Sequence, residues 1–240
     1  MTDREGQRAP MKYKQWNRTH CDSEARAALE RAGIPPLAAL ALCARGQDTP
    51  EKARAFLACG QELLHDPLLM LDMDKAAGRL RLALERDERI AVYGDYDVDG
   101  ITATCLLTDF LRSEGAAVIS YIPDRMEEGY GLNREAVELL ADKGVTLIVT
   151  VDCGITAVEE AACAASLGVE LVITDHHECK AALPAAAAVV DPRRADCPYP
   201  FKCLAGVGVA LKLVLALGGP ARRDELLERY ADLAAIGTEV

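Results

Sequence analysis

With 240 residues, half of them hydrophobic, the chain is long enough for one large domain or one and a half ordinary ones. A formal net charge of −11 argues against a broadly basic nucleic-acid-binding surface, so any surface that grips a polyanion is local or lies outside this chain. No apolar run approaches the roughly 20 residues that span a bilayer, and the polar N-terminus has no signal-peptide core; the expected location is cytoplasmic, away from membranes. The nine cysteines are an odd number and include no C-x-x-C pair. They read as reduced thiols, not as a structural zinc site.

In chain order, residues 1–20 read as a polar leader and residues 21–86 as a helical extension. Ser23 is the expected cap of a first helix running to Ala32, with Gly33 stopping it. Pro35 and Pro36 open a second helix. Thr49 and Pro50 mark the cap and first position of a third. Met73 to Glu85 forms a fourth, amphipathic one. From residue 87 to 240 the texture becomes α/β. Strands are expected at Ile90–Tyr93, Val118–Ile122, Leu147–Val151, Leu171–Thr174 and Ala188–Val190. Helices are expected between them at Ile101–Glu114, Arg134–Lys143 and Thr156–Leu167, with Asn133 capping the second and Gly144 and Gly168 closing the last two. Leu204 to Val240 reads as two more helices. Alternation of strand and helix predicts a mainly parallel five-stranded sheet flanked by helices.

The acids fall where such a sheet binds its ligands, beyond the carboxyl ends of the strands. Asp95, Asp97 and Asp99 follow the first strand, Asp152 the third, and Asp175, His176 and His177 the fourth. Clustered like charges need cations to be stable. Mixed carboxylate and imidazole donors suit Mn²⁺, Mg²⁺ or Fe²⁺ better than thiolate-seeking metals. A bridging carboxylate could hold two such ions about 3.5–4 Å apart, as in two-metal phosphoester hydrolysis, where bound water becomes hydroxide and phosphate charge is neutralised.

Each element taken singly has a simpler reading. Asp95-x-Asp97-x-Asp99-Gly100 matches the start of a calcium-binding EF-hand loop, but the twelfth position, which needs Glu, is Leu106, and a strand precedes it where a helix is required. Asp152 alone could cap a helix, and Asp175-His176-His177 could be an exposed turn. Their order and spacing together make these readings improbable.

Val-Tyr-Gly-Asp-Tyr-Asp-Val-Asp-Gly-Ile-Thr-Ala (92–103), Val-Asp-Cys-Gly-Ile (151–155) and Asp-His-His (175–177) resemble the first three motifs of the DHH phosphoesterase family. Residues 122–132, 204–212 and 64–75 resemble its single-stranded-DNA exonuclease branch in particular. The resemblance implies a DHH domain over 87–240 and metal-dependent hydrolysis of single-stranded DNA from the 5′ end, in recombination and repair. It implies two divalent ions, Mn²⁺ or Mg²⁺, held by Asp97, Asp99, Asp152 (as the bridge) and His176, with Asp95 and Asp175 as further candidates. Asp175 and His177 are expected to orient that ligand or contact phosphate, and His177 joins the catalytic set. Single-stranded DNA is the implied partner, together with a single-stranded-DNA-binding protein and a helicase.

Arg125 and Tyr130 are candidates for gripping the strand by phosphate pairing and base stacking. Gly206 and Gly208 open a helix whose N–H groups could hold a phosphate. Loop packing and helix packing are the respective alternatives, and Lys212 reads as a solvated helix residue. The family's fourth-motif aspartate follows a Gly-Thr matching Gly237 and Thr238. Here Glu239 and Val240 follow, and Asp232 precedes. The expectation is a domain truncated at its C-terminal end and weakly active or inactive alone. Two rival readings keep the domain: a phosphodiesterase for short oligonucleotides or cyclic dinucleotides, and a non-catalytic scaffold subunit. The small-substrate branches carry His-x-x-x-Asp-x-Asp, where this chain has Tyr93 in place of the His.

Overall fold

The computed structural model describes residues 20–239 apart from 59, 127 and 130, so the expected leader, save residue 20, lies outside the described residues. The chain divides into two compact units between Leu64 and His65. In the first, α1 (Ser23–Arg31), α2 (Pro36–Ala44) and α3 (Pro50–Leu57) close on Leu29, Ala39, Leu42, Cys43 and Ala53. Asp22, not Ser23, caps α1, its carboxylate accepting the Glu24 N–H at 3.0 Å. A carboxylate there satisfies an unpaired N–H and also meets the positive end of the helix dipole. Thr49 caps α3 as expected.

The second unit contains α4 (Met73–Glu85), β1 (Ile90–Tyr93), α5 (Val98–Ser113), β2 (Val118–Tyr121), α6 (Arg134–Asp142), β3 (Leu147–Val151), α7 (Val158–Ser166), β4 (Glu170–Thr174), β5 (Ala188–Val190), α8 (Gly206–Gly218) and α9 (Arg223–Glu239). The five strands form one sheet in the order β2-β1-β3-β4-β5, and every pairing is parallel. Successive strand residues point to opposite faces. Ile90, Val92, Val149, Val151 and Val172 meet α4, α5, α8 and α9 on one face. Ala91, Tyr93, Ile148 and Ile173 meet α6 and α7 on the other. Burial on both faces is why these strands are nearly continuous β-branched runs, not alternating ones. Each fully buried Leu or Phe contributes roughly 1.5–3 kcal/mol of transfer free energy.

Two differences from the sequence reading matter. First, α4 lies in the sheet's own core through Met73, Ala76, Ala77 and Leu80, so the compact unit begins at His65 and not after residue 86. Second, α5 starts at Val98, a turn before the expected Ile101, because Asp97 is its cap: the Asp97 carboxylate accepts the Gly100 N–H at 3.0 Å. The Asp-x-Asp-Gly string is therefore the start of a helix. Gly100 is required there, since a Cβ would stand 2.6 Å from the Asp95 backbone.

Candidate metal centre

All five strands end at one edge, and four deliver an acid to it. Asp152, Asp175 and Asp191 each directly follow the last residue of β3, β4 and β5, and Asp95 lies two residues beyond β1. Asp152 is the hub. It can bring a carboxylate oxygen within 4.8 Å of donor atoms on His176 and His177, and it belongs to a second such group with Asp95 and Asp97. The Asp99 carboxylate stands 3.6 Å from Nε2 of His176. Asp95, Asp97, Asp99, Asp152, His176 and His177 are thus brought together at one place.

The backbone at Asp152 is left-handed, with φ of 61°. Asp and Asn tolerate that conformation better than most residues. The turn aims the side chain back over the sheet edge, where the residue is 1% exposed. Burial pushes the Asp152 carboxyl up to about 6, and burial also raises Asp95 and Asp99. Contact with Asp152 raises His176 in turn. Oδ1 of Asp152 is buried without a hydrogen-bond partner. A buried, unpartnered carboxylate oxygen amid other acids and an imidazole is what a hard divalent cation would complete. The donor set therefore fits Mn²⁺ or Mg²⁺.

Asp175 serves differently. One of its oxygens accepts the Ile155 N–H at 2.9 Å. The other accepts the N–H groups of His176 and His177 and lies 2.7 Å from Nδ1 of His177. Burial alone would raise Asp175, but the His177 ring and the Ile155 N–H hold it below its ordinary value. The same contact raises His177 to about 9. Asp175 therefore holds the His177 ring and pins the backbone of both histidines.

Asp191 was missed in the sequence. It is fully buried, burial pushes it up to about 6, and it accepts the Arg193 N–H at 2.6 Å. The Thr174–Val190 register sets it beside Asp175. The signal that found the other acids, an aspartate directly after a strand, applied here too.

The remaining candidates divide. The Arg125 guanidinium lies 5.1 Å from the centre of the Tyr96 ring, between Asp95 and Asp97, at the rim of the cluster. Tyr130 lies outside the described residues. The N–H of Gly206 is not open to a phosphate: it and the Val207 N–H donate to the two oxygens of Asp99 at 2.7 and 2.6 Å. Gly206 is glycine because a Cβ would collide with Asp152, and at Gly208 a Cβ would press on Leu204. Both are packing positions. Lys212 is 3% exposed, not solvated. Its ammonium donates to the His65 carbonyl at 2.6 Å, and burial lowers it to about 8.

The N-terminal domain pattern of the DHH family matches residues 89–238, the stretch that builds this sheet and its acidic edge; the chain belongs to that family. Within it, the chain is similar to the single-stranded-DNA-specific exonuclease RecJ. It is 48% identical to RecJ of Bacillus subtilis over 209 residues, covering 87% of this chain and 26% of that protein. It is 40% identical to RecJ of Escherichia coli over 222 residues, covering 86% and 37%. A crystal structure of RecJ from Thermus thermophilus in complex with Mn²⁺ superposes with a TM-score of 0.70 at 34% identity, over 90% of this chain and 30% of that one. Another, of RecJ bound to manganese, gives 0.62 at 39% identity, over 71% and 43%. The chain thus spans less than half the length of these relatives. No helix among the described residues is long and apolar enough to cross a membrane.

Proposed function

We propose that this chain carries the metal-dependent centre of a single-stranded-DNA-specific exonuclease that releases nucleotides from the 5′ end, in recombination and repair, in the cytoplasm. One observation carries the hydrolytic reading: Asp152 is shared by two groups of candidate ligands. Its restriction to single-stranded DNA is supported by the similarity to RecJ over most of the chain. A single-stranded-DNA-binding protein and a helicase are partners implied by that likeness alone.

Asp97, Asp99, Asp152 and His176 would hold two divalent ions, with Asp95 beside them. Bound there, Mn²⁺ or Mg²⁺ would supply an activated water and neutralise charge developing on the phosphate. The protein's own part is placement. Asp152 sets the separation of the two ligand groups. Asp175 holds the His177 ring through Nδ1, so that its imidazolium can donate a proton or hydrogen bond to a phosphate oxygen or the departing oxygen. Arg125 would pair with a strand phosphate.

The test is Mn²⁺-dependent release from 5′-labelled and 3′-labelled single strands, by this chain and by one extended to the length of its relatives. Release of 5′-mononucleotides that disappears with Asp152→Asn supports the proposal. Cleavage of dinucleotides or cyclic dinucleotides without release from DNA overturns it in favour of the small-substrate reading.

A further inference from the structure

The proposed exonuclease site lies at the ends of the three central strands and β5, and an arginine follows the strand at each border of the sheet. Arg125 follows β2 at one border of the sheet. Arg193 follows β5 at the other, in the loop that begins with Asp191. Four strand spacings separate the borders, about 19 Å. Beside β5 is an open cavity of about 450 Å³ lined by Glu178, Arg193, Arg194, Ala195, Lys202 and Cys203. Glu178 is the residue after His177, so the cavity begins one residue past the cluster.

The charges in it are unequally committed. Arg194 is buried and fully used, bonding to Asp72, both oxygens of Asp196 and the Val189 carbonyl. It forms the floor. Lys202 donates to the Cys197 carbonyl at 2.6 Å and has no carboxylate partner among the described residues. Arg193 pairs with Glu178 at 3.0 Å, but the Glu178 side chain is 85% exposed. Such a pair is worth little and is easily exchanged for another anion. The Asp191 carboxylate accepts the Arg193 backbone N–H and so fixes the turn from which that side chain leaves.

We infer that the cavity formed by Arg193 and Lys202 past the exit of β5 is a binding site for backbone phosphates of a single strand lying across the sheet edge. This rests on the nucleic-acid reading above and adds a second grip to it. In a chain of net charge −11, a local cationic pocket whose lining begins one residue past His177 is where a polyanion would be held. Glu178 occupies the place of the phosphate until the strand arrives.

The test is fluorescence anisotropy of a hydrolysis-resistant phosphorothioate single strand, with Mn²⁺, across a salt series. Arg193→Glu with Lys202→Glu should weaken binding about tenfold or more and flatten the plot of log affinity against log salt by about 0.7 per lost contact. Glu178→Gln, which removes an exposed competitor, should tighten binding. The Mn²⁺-induced rise in melting temperature should be the same in all three proteins. Unchanged affinity and slope overturn the inference alone. Loss of the Mn²⁺ response in the double variant overturns it too, since the loop would then be structural. Inorganic phosphate displacing the strand at matched ionic strength would reassign the pocket to free phosphate. A parent chain that binds no strand even at low salt removes this inference; whether the exonuclease reading goes with it is read separately, from nucleotide release.

Discussion

Oδ1 of Asp152 lies 3.0 Å from Nε2 of His176, yet no aligned hydrogen bond joins them. Two potential donor atoms that close together can serve one bound ion. Asp152→Asn keeps the shape and the left-handed backbone while removing the buried charge. It should abolish the Mn²⁺-induced rise in melting temperature and lower activity by more than the roughly 10–100-fold typical of residues that merely orient ligands. The metal-free protein should melt no lower than the parent. Asp152→Ala, with a residue ill-suited to φ of 61°, should melt below Asp152→Asn.

Metal binding should depend on pH through the same carboxyl. Burial raises Asp152 to about 6 from 3.8. Without metal, the folded state therefore prefers the protonated form. Stability from this group is present below about pH 4 and is lost as pH rises through about 6. A divalent ion needs the ionised form, so the Mn²⁺-induced shift in melting temperature should grow steeply between about pH 5 and 7. A shift of equal size at pH 5 and pH 7.5 would contradict this.

Asp175→Asn should leave the ring of His177 poorly held. Activity should fall roughly 10–100-fold. In the metal-free protein, the His177 titration followed by NMR should drop from about 9 toward the ordinary histidine range. A fall in activity without that movement would show that Asp175 acts through the fold, not through His177.

Gly206→Ala would drive a methyl group into Asp152. Overpacking of this kind costs about 1–3 kcal/mol, and here the displaced atoms are those of the hub. The variant should lose Mn²⁺ response more than stability, whereas Gly208→Ala should lose stability alone, as read by melting with and without Mn²⁺.

Lys212 offers a separate pH signature. Burial lowers it to about 8 from 10.5. Between those values the unfolded chain holds a proton that the folded one lacks, so this group's contribution to stability rises as pH climbs from 8 toward 10.5. Urea unfolding should show the parent gaining on Lys212→Met across that interval, with metal response unaffected.

The strands were legible from sequence to within one residue, because long β-branched runs bounded by turns leave little freedom. The cluster was legible because its acids follow strand ends. What escaped was set by contacts between distant segments. Asp97 looked like part of a loop until its bond to the Gly100 N–H made it a helix cap. Gly206 looked like an anion site, but Asp99, more than 100 positions earlier, had taken its N–H. Lys212 looked solvated because a single lysine in an apolar helix carries no sign of the His65 carbonyl that receives it. Asp191 escaped because it stands alone before a proline, with no neighbouring histidine to draw notice.

Asp99 spends both oxygens on the first peptide units of α8, and it also stands in reach of His176. An ion drawing on that carboxylate and the helix docked on it share one set of lone pairs. Were an ion to bind there, the two affinities would be linked, and the linkage would run both ways by the same factor. Whatever loosened the seat of α8 would then be felt as a change in metal occupancy, and metal occupancy would be written into the firmness with which α8 is seated.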